Sequence, residues 1–239
     1  MLRAPSLEII DPIPVELKAS ELAKNLKPPD KLGEQLVSLF ETARPLIEPK
    51  AVYTTTRVVG FEDDLVHLEN GDALKGIVLV DMLESGQEII PYVVTIGPKL
   101  ESEIKQEKNL LNSFLLDKIG NYALHKACAY LKSLAAERFG RGQSVSEFSP
   151  GTGTGELFGI EQQKPLFRLL DPATSIGVQL MPSLMMAPVK SESGILAATL
   201  FEYVACAHCS RRECESRSTA FIGAYQRIKS TRAQRPGNS

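Results

Sequence analysis

Apolar residues recur at steps of three and four between Leu110 and Phe139: Phe114, Leu115, Ile119, Tyr122, Ala123, Ala127, Leu131 and Leu134. That spacing puts them on one side of a single long helix whose other side is polar. Gly140 and Gly142 stop it. Earlier, Leu32, Leu36, Leu39 and Phe40 follow the same period behind a capping Asp30, so residues 15–49 read as helix, with a break or kink at Pro45. The period then changes to two. Ala51–Val59 is rich in β-branched residues, Asp63–Leu68 alternates toward an Asn70–Gly71 turn, and Pro91–Ile96 is a further strand ended by Gly97–Pro98. A glycine-punctuated loop at 149–155 leads to a short helix over 161–170, then to short strands over 175–180, 185–189 and 194–203. Strands, long helices and strands again, without regular βαβ alternation, predict an α+β fold with a largely antiparallel sheet. The expected organisation is an N-terminal extension at 1–30, the α+β body at 31–205, and a cysteine-rich motif with a basic tail at 206–239.

Composition adds little to this until charge is placed along the chain. With 239 residues, 43% hydrophobic and 23% charged, the sequence can bury a real core. The net charge of −2 hides an asymmetry, because residues 211–239 carry seven Lys or Arg against two Glu. That end reads as a solvated tail, disordered over 230–239, or as a patch for an anionic partner. No apolar run is long enough for a membrane span or a signal peptide, and four cysteines without an export signal fit a reducing compartment. A cytoplasmic protein is expected, with neither a membrane nor a nucleic-acid partner.

The chemistry concentrates near the C-terminus. Cys206, Cys209 and Cys214 form C-x2-C-x4-C, with His208 between the first two. A C-x2-C turn aims two sulfurs at one point, and thiolates select zinc or iron–sulfur clusters. Three sulfurs leave zinc in need of a fourth ligand, His208 or the remote Cys128, or leave one iron of a four-iron cluster without a cysteine. Cys128 shares a face of the long helix with Leu124, Leu131 and Ala135, where a buried, inert thiol is the simpler reading. His125 falls on the polar side of that helix, and His67 lies in an alternating strand with no evident partner. Gly151-Thr152-Gly153-Thr154-Gly155 is neither a dinucleotide fingerprint nor a phosphate loop, and positive φ or close backbone approach accounts for its glycines. No Ser/His/Asp or Cys/His catalytic set stands out, and Asp63-Asp64 reads as a solvated turn.

One stretch resembles a known family. Ile176-Gly177-Val178-Gln179-Leu180-Met181-Pro182-Ser183-Leu184-Met185-Met186-Ala187-Pro188, followed by Ser191-Glu192-Ser193-Gly194, is similar to the activation domain of cobalamin-dependent methionine synthase, whose pattern is I-G-x-x-L-x-x-S-x-x-M-x-P and then S-x-S-G. Ser149-Pro150-Gly151 and the following helix with Phe167-Arg168-Leu169-Leu170 fit the same family. Glu48–Tyr53 and Val94–Glu101 resemble its stand-alone relatives, so the resemblance spans about residues 30–205.

The resemblance implies a curved α+β domain with a twisted, largely antiparallel sheet flanked by long helices. It also implies a corrinoid protein or cobalamin-dependent methyltransferase as partner, with S-adenosylmethionine bound at a loop containing Pro150 and Gly151. One electron and a methyl group then return inert cob(II) to service. The family loop, however, reads R-x-x-P-G-Y, and here Glu147 and Thr152 stand at the Arg and Tyr positions. An arginine grips the ligand carboxylate in bidentate fashion, whereas Glu147 opposes it with like charge. The expectation is therefore S-adenosylmethionine held weakly, in another pose, or not at all. The cysteine triplet is absent from the family domain. An iron–sulfur cluster there, more fitting than zinc, would receive an electron from a low-potential donor and pass it to the corrinoid. The alternative is a non-catalytic binding module with structural zinc and a degenerate pocket. A third reading is an S-adenosylmethionine-binding enzyme or sensor with a rearranged pocket.

Overall fold

The structure is a computed structural model that describes residues 6–26, 30–139, 143–153, 155–211, 213, 214 and 217–227. Its organising element is strand β6, Glu88–Thr95, in which every residue after the first is buried. Alternate side chains point to opposite faces, so a continuously apolar strand means both faces are covered. Ile90, Tyr92 and Val94 enter one core, while Ile89 and Val93 enter two others on the opposite face.

Strands β2 (Lys50–Tyr53) and β3 (Thr56–Glu62) share one edge of β6, pairing with its C-terminal and N-terminal halves respectively. The other edge pairs with β10, Ser191–Thr199, which in turn holds β7, Ser144–Phe148. Strand β1 (Glu8–Ile10) extends the sheet beyond β2, and β4 (Leu65–Leu68) and β5 (Ala73–Lys75) extend it beyond β3. Every pairing among the described residues is antiparallel, and the eight strands curl into a half-barrel.

Helices α1 (Ala19–Leu26), α2 (Asp30–Ala43) and α5 (Leu110–Phe139) cover the first face. Leu36 and Phe40 pack there with Leu115, Ile119, Ala123, Ala127 and Leu131. Each Leu, Ile or Phe side chain among them contributes about 1.5–3 kcal/mol on burial. Ile13 and Leu22, from the segment before 31, lie in the same core. The long helix runs over the span that its stripe predicts. Phe114 departs from that stripe: it is half exposed, with the Lys118 ammonium 4.9 Å from its ring centre.

The helix expected over 15–49 ends at Ala43, just before Pro45, and is divided into α1 and α2, with Pro28 and Pro29, which lack amide donors, between them in sequence. The strand expected at 175–180 is corrected. Ser175 and Ile176 end a short helix, α7 (Pro172–Ile176), started by a proline at its first position and ended by Gly177 at φ 74°. Only Gln179–Leu180, strand β8, remains extended, pairing with β9, Met186–Ala187. Three further short helices are α3 (Ile77–Met82), α4 (Lys99–Gln106) and α6 (Gln163–Leu170), and the last, α8, is Ala205–His208. Gly140, Gly142 and residues 230–239 lie outside the described residues. No described helix is long and apolar enough to cross a membrane.

Candidate functional site

The antiparallel register brings three strands' polar residues together under α5. Tyr92 on β6 faces Gly194 on β10, Glu147 on β7 faces Leu196, and Glu192 lies one pleat away from Gly194 on the same face. Gly194 makes the room. A Cβ there would lie 2.8 Å from the Phe148 carbonyl oxygen, 3.0 Å from Tyr92 Oη and 3.1 Å from Ser149 Oγ. Into this gap the Tyr92 hydroxyl donates a short hydrogen bond to Glu147 Oε1. Ser149 Oγ donates to Glu192 Oε1 at 3.2 Å, and the Cys128 thiol on α5 lies 3.5 Å from Glu192 Oε2.

Both glutamates are half-buried, and among the described residues no lysine, arginine or histidine forms an ion pair with either. Burial, then the neighbouring Glu147 charge, pushes the Glu192 carboxyl up to about 7. Burial, reinforced by the glutamates, likewise raises the Tyr92 hydroxyl and the Cys128 thiol well above their ordinary ranges. Near neutrality this cluster holds a proton, can exchange it, and attracts positive charge. It cannot grip a carboxylate.

The loop leaving β7 has the conformation its glycines suggest. Pro150 is buried; Gly151 and Gly153 have φ of 80° and 73°, where a side chain is strained. A Cβ at Gly151 would also meet Ile160 Cδ1 at 2.7 Å. Thr152 is exposed and its hydroxyl donates back to the Ser149 carbonyl at 2.5 Å.

The cysteine motif starts on α8. The Cys209 amide donates to the Cys206 carbonyl at 3.4 Å, so the first two cysteines bracket one turn. Arg217 ties this turn from inside, donating to the carbonyls of Cys206 at 2.8 Å, Cys209 at 3.0 Å, Thr219 at 3.4 Å and, at shorter range, Arg211. The hydroxyl and amide of Ser218 hold the Cys206 thiol below its usual range. His208 stacks on Tyr203 with ring centres 6.0 Å apart, and its Nδ1 lies 3.2 Å from the Gly223 carbonyl oxygen. Cys128 packs against the core that holds its helical neighbours Leu124, Leu131 and Ala135, and its thiol also meets Glu192 from α5. Among the described residues, no three histidine, cysteine or acidic side chains are gathered as a metal site. The triplet is thus close in sequence but not converged.

The sequence alone assigns no site role to Tyr92, Ser149, Glu192 or Arg217. A signal existed for Glu192: it is the one charged residue of β10, on the face it shares with Gly194 and the core residue Leu196. His67, for which the sequence offers no partner, has Glu62 Oε2 3.4 Å from its Nε2. A cavity of about 550 Å³, lined in part by Asp81, Glu84, Phe139, Leu200 and Phe201, contains none of the sequence-predicted site residues.

No family model matches this sequence, and no curated protein does. Among solved structures, the chain is similar to the MetH reactivation domain bound to AdoHcy, with a TM-score of 0.61 and 11% identity over 84% of this chain and 81% of that one. At that identity the likeness is one of fold: the curled antiparallel sheet with its long helices is the architecture of the MetH reactivation domain.

Proposed function

We propose that this chain is an accessory protein for reductive reactivation of a corrinoid methyltransferase. The observation that carries the reading is the fold shared with the MetH reactivation domain. In this role it docks on the corrinoid protein and passes one electron to cob(II), giving cob(I). Cys206, Cys209 and Cys214 would hold an iron–sulfur cluster, whose chemistry would be one-electron transfer from an external low-potential donor. The Ser218 donors around Cys206 suit a thiolate ligand. Glu147 argues for weak or altered S-adenosyl binding, which leaves electron delivery as the chain's own contribution.

The test is anaerobic purification, with iron, sulfide and zinc counted per chain, followed by a cob(II) reduction assay. The expected result is brown protein with about four iron and four sulfide, lost on Cys206→Ser, Cys209→Ser or Cys214→Ser. The loaded protein should speed the loss of the cob(II) spectrum of its corrinoid partner. Loaded protein without that effect would sink the reading.

A second reading is favoured by the Arg217 clamp, which fastens the turn carrying Cys206 and Cys209. Here the chain is a non-catalytic binding module and the triplet holds structural zinc. It predicts colourless protein with about one zinc per chain, and loss of structure in the C-terminal segment on chelation.

A further inference from the structure

The cysteine turn and the loop after β7 are built against each other. Ala205, the residue before Cys206, packs on Gly153, whose missing Cβ would lie 3.5 Å from the Ala205 carbonyl oxygen and 3.7 Å from its Cβ. Tyr203 forms the second link. Its ring stacks on Phe148, the last residue of β7, at 5.3 Å and 15°, and on His208 at 6.0 Å and 11°. Tyr225 closes this group edge-on to both Tyr203 and His208. The Tyr203 amide also donates to Ser146 Oγ on β7 at 2.7 Å. One residue beyond Phe148, Ser149 holds the Glu192 carboxyl.

We propose that metal binding at Cys206, Cys209 and Cys214 sets the conformation of residues 149–153, so that the cysteine motif is the regulatory element of the carboxyl site rather than a separate appendage. The proposal rests on the metal-binding reading above. Drawing the sulfurs onto a metal must move α8, because Cys206 and Cys209 bracket its single turn. Ala205 and His208 move with it. Gly153 follows through direct contact, and Phe148 and Ser149 follow through the Tyr203 ring. Two sites biased by one such element are coupled reciprocally, typically 5–150-fold. A ligand ordering 149–153 therefore tightens metal binding by the same factor.

The experiment is amide hydrogen exchange on the full chain, prepared metal-free and then with zinc(II), a redox-inert probe of thiolates. Zinc should slow exchange at 149–153 by about tenfold, within the usual range of coupling. Ala205→Gly removes only the methyl facing Gly153, and Tyr203→Leu removes the stacked ring; each should keep zinc uptake while losing most of that slowing. Tyr203→Phe, which keeps the ring, should behave as wild type. Zinc uptake with protection confined to 206–214 would overturn the coupling and leave the metal site standing. Protein that takes up no zinc would overturn both.

Discussion

Replacing Gly194 with alanine should cost about 3 kcal/mol, lowering the thermal midpoint by roughly 10 °C for a domain of this size. The cost is steric. The new Cβ would sit 2.8 Å from the Phe148 carbonyl oxygen, a backbone atom held where Ile195 and Phe148 pair across β10 and β7. A flexible side chain could swing aside, but a carbonyl within a ladder moves only with its strand. Tyr92 Oη and Ser149 Oγ, at 3.0 and 3.1 Å, would be pushed from the carboxyls that they bind. Gly60→Ala is the control, because its Cβ would meet nothing within 4 Å and should change stability by less than about 0.5 kcal/mol. Equal midpoints for the two variants would mean that the gap at Gly194 is looser than described.

The parts of this fold legible in the sequence are those where one local pattern runs far enough to dominate. The stripe along α5 fixes a 30-residue helix because any other conformation would scatter its apolar residues. Short elements obey their surroundings. Ile77-Val78-Leu79-Val80 is β-branched and apolar, yet it forms α3, because burying Val78, Leu79 and Val80 outweighs intrinsic preference. Ser175 and Ile176 were lost to helix for an opposite reason, since Pro172 and Gly177 frame a turn too short to show a period.

The candidate site divides in the same way. Gly151 and Gly153 announce a left-handed loop, and Glu147 stands out beside it because the family pattern has an arginine there. What Glu147 touches could not be read. Its partner Tyr92 is 55 residues away, and Cys128 and Glu192 are 64 apart, joined only by strand register and helix packing. Arg217 was hidden more deeply, because its partners are main-chain carbonyls that carry no side-chain signature. Fold and site chemistry are thus separable here. The backbone of the loop depends on glycine and proline, while the charge it presents depends on one side chain, and these can change independently.

The sign of that charge should be measurable in stability. The Glu192 carboxyl stands at about 7 in the folded chain, against an ordinary value of 4.5. Below 4.5 the proton is bound in folded and unfolded states alike. Between 4.5 and 7 the unfolded chain releases it and the folded chain does not, so stability falls as pH rises, then levels off above 7. The full drop is about 3 kcal/mol, at 1.36 kcal/mol per pH unit. Glu192→Gln should abolish this component. Its amide oxygen can still accept from Ser149 and its NH2 group can donate to Glu147, so the geometry has a neutral equivalent. Urea denaturation should then find the variant and wild type equally stable near pH 4.5, with the variant ahead by up to about 3 kcal/mol at pH 8. Tyr92 and Cys128 do not blur the comparison, because both stay neutral across that window. Glu147→Gln should give a smaller gain of the same sign, since it removes the second cause of the shift and leaves burial in place. Parallel curves for wild type and Glu192→Gln would show that the carboxyl ionises as freely in the folded chain as in the unfolded one, and the proton-holding pair would have to be abandoned.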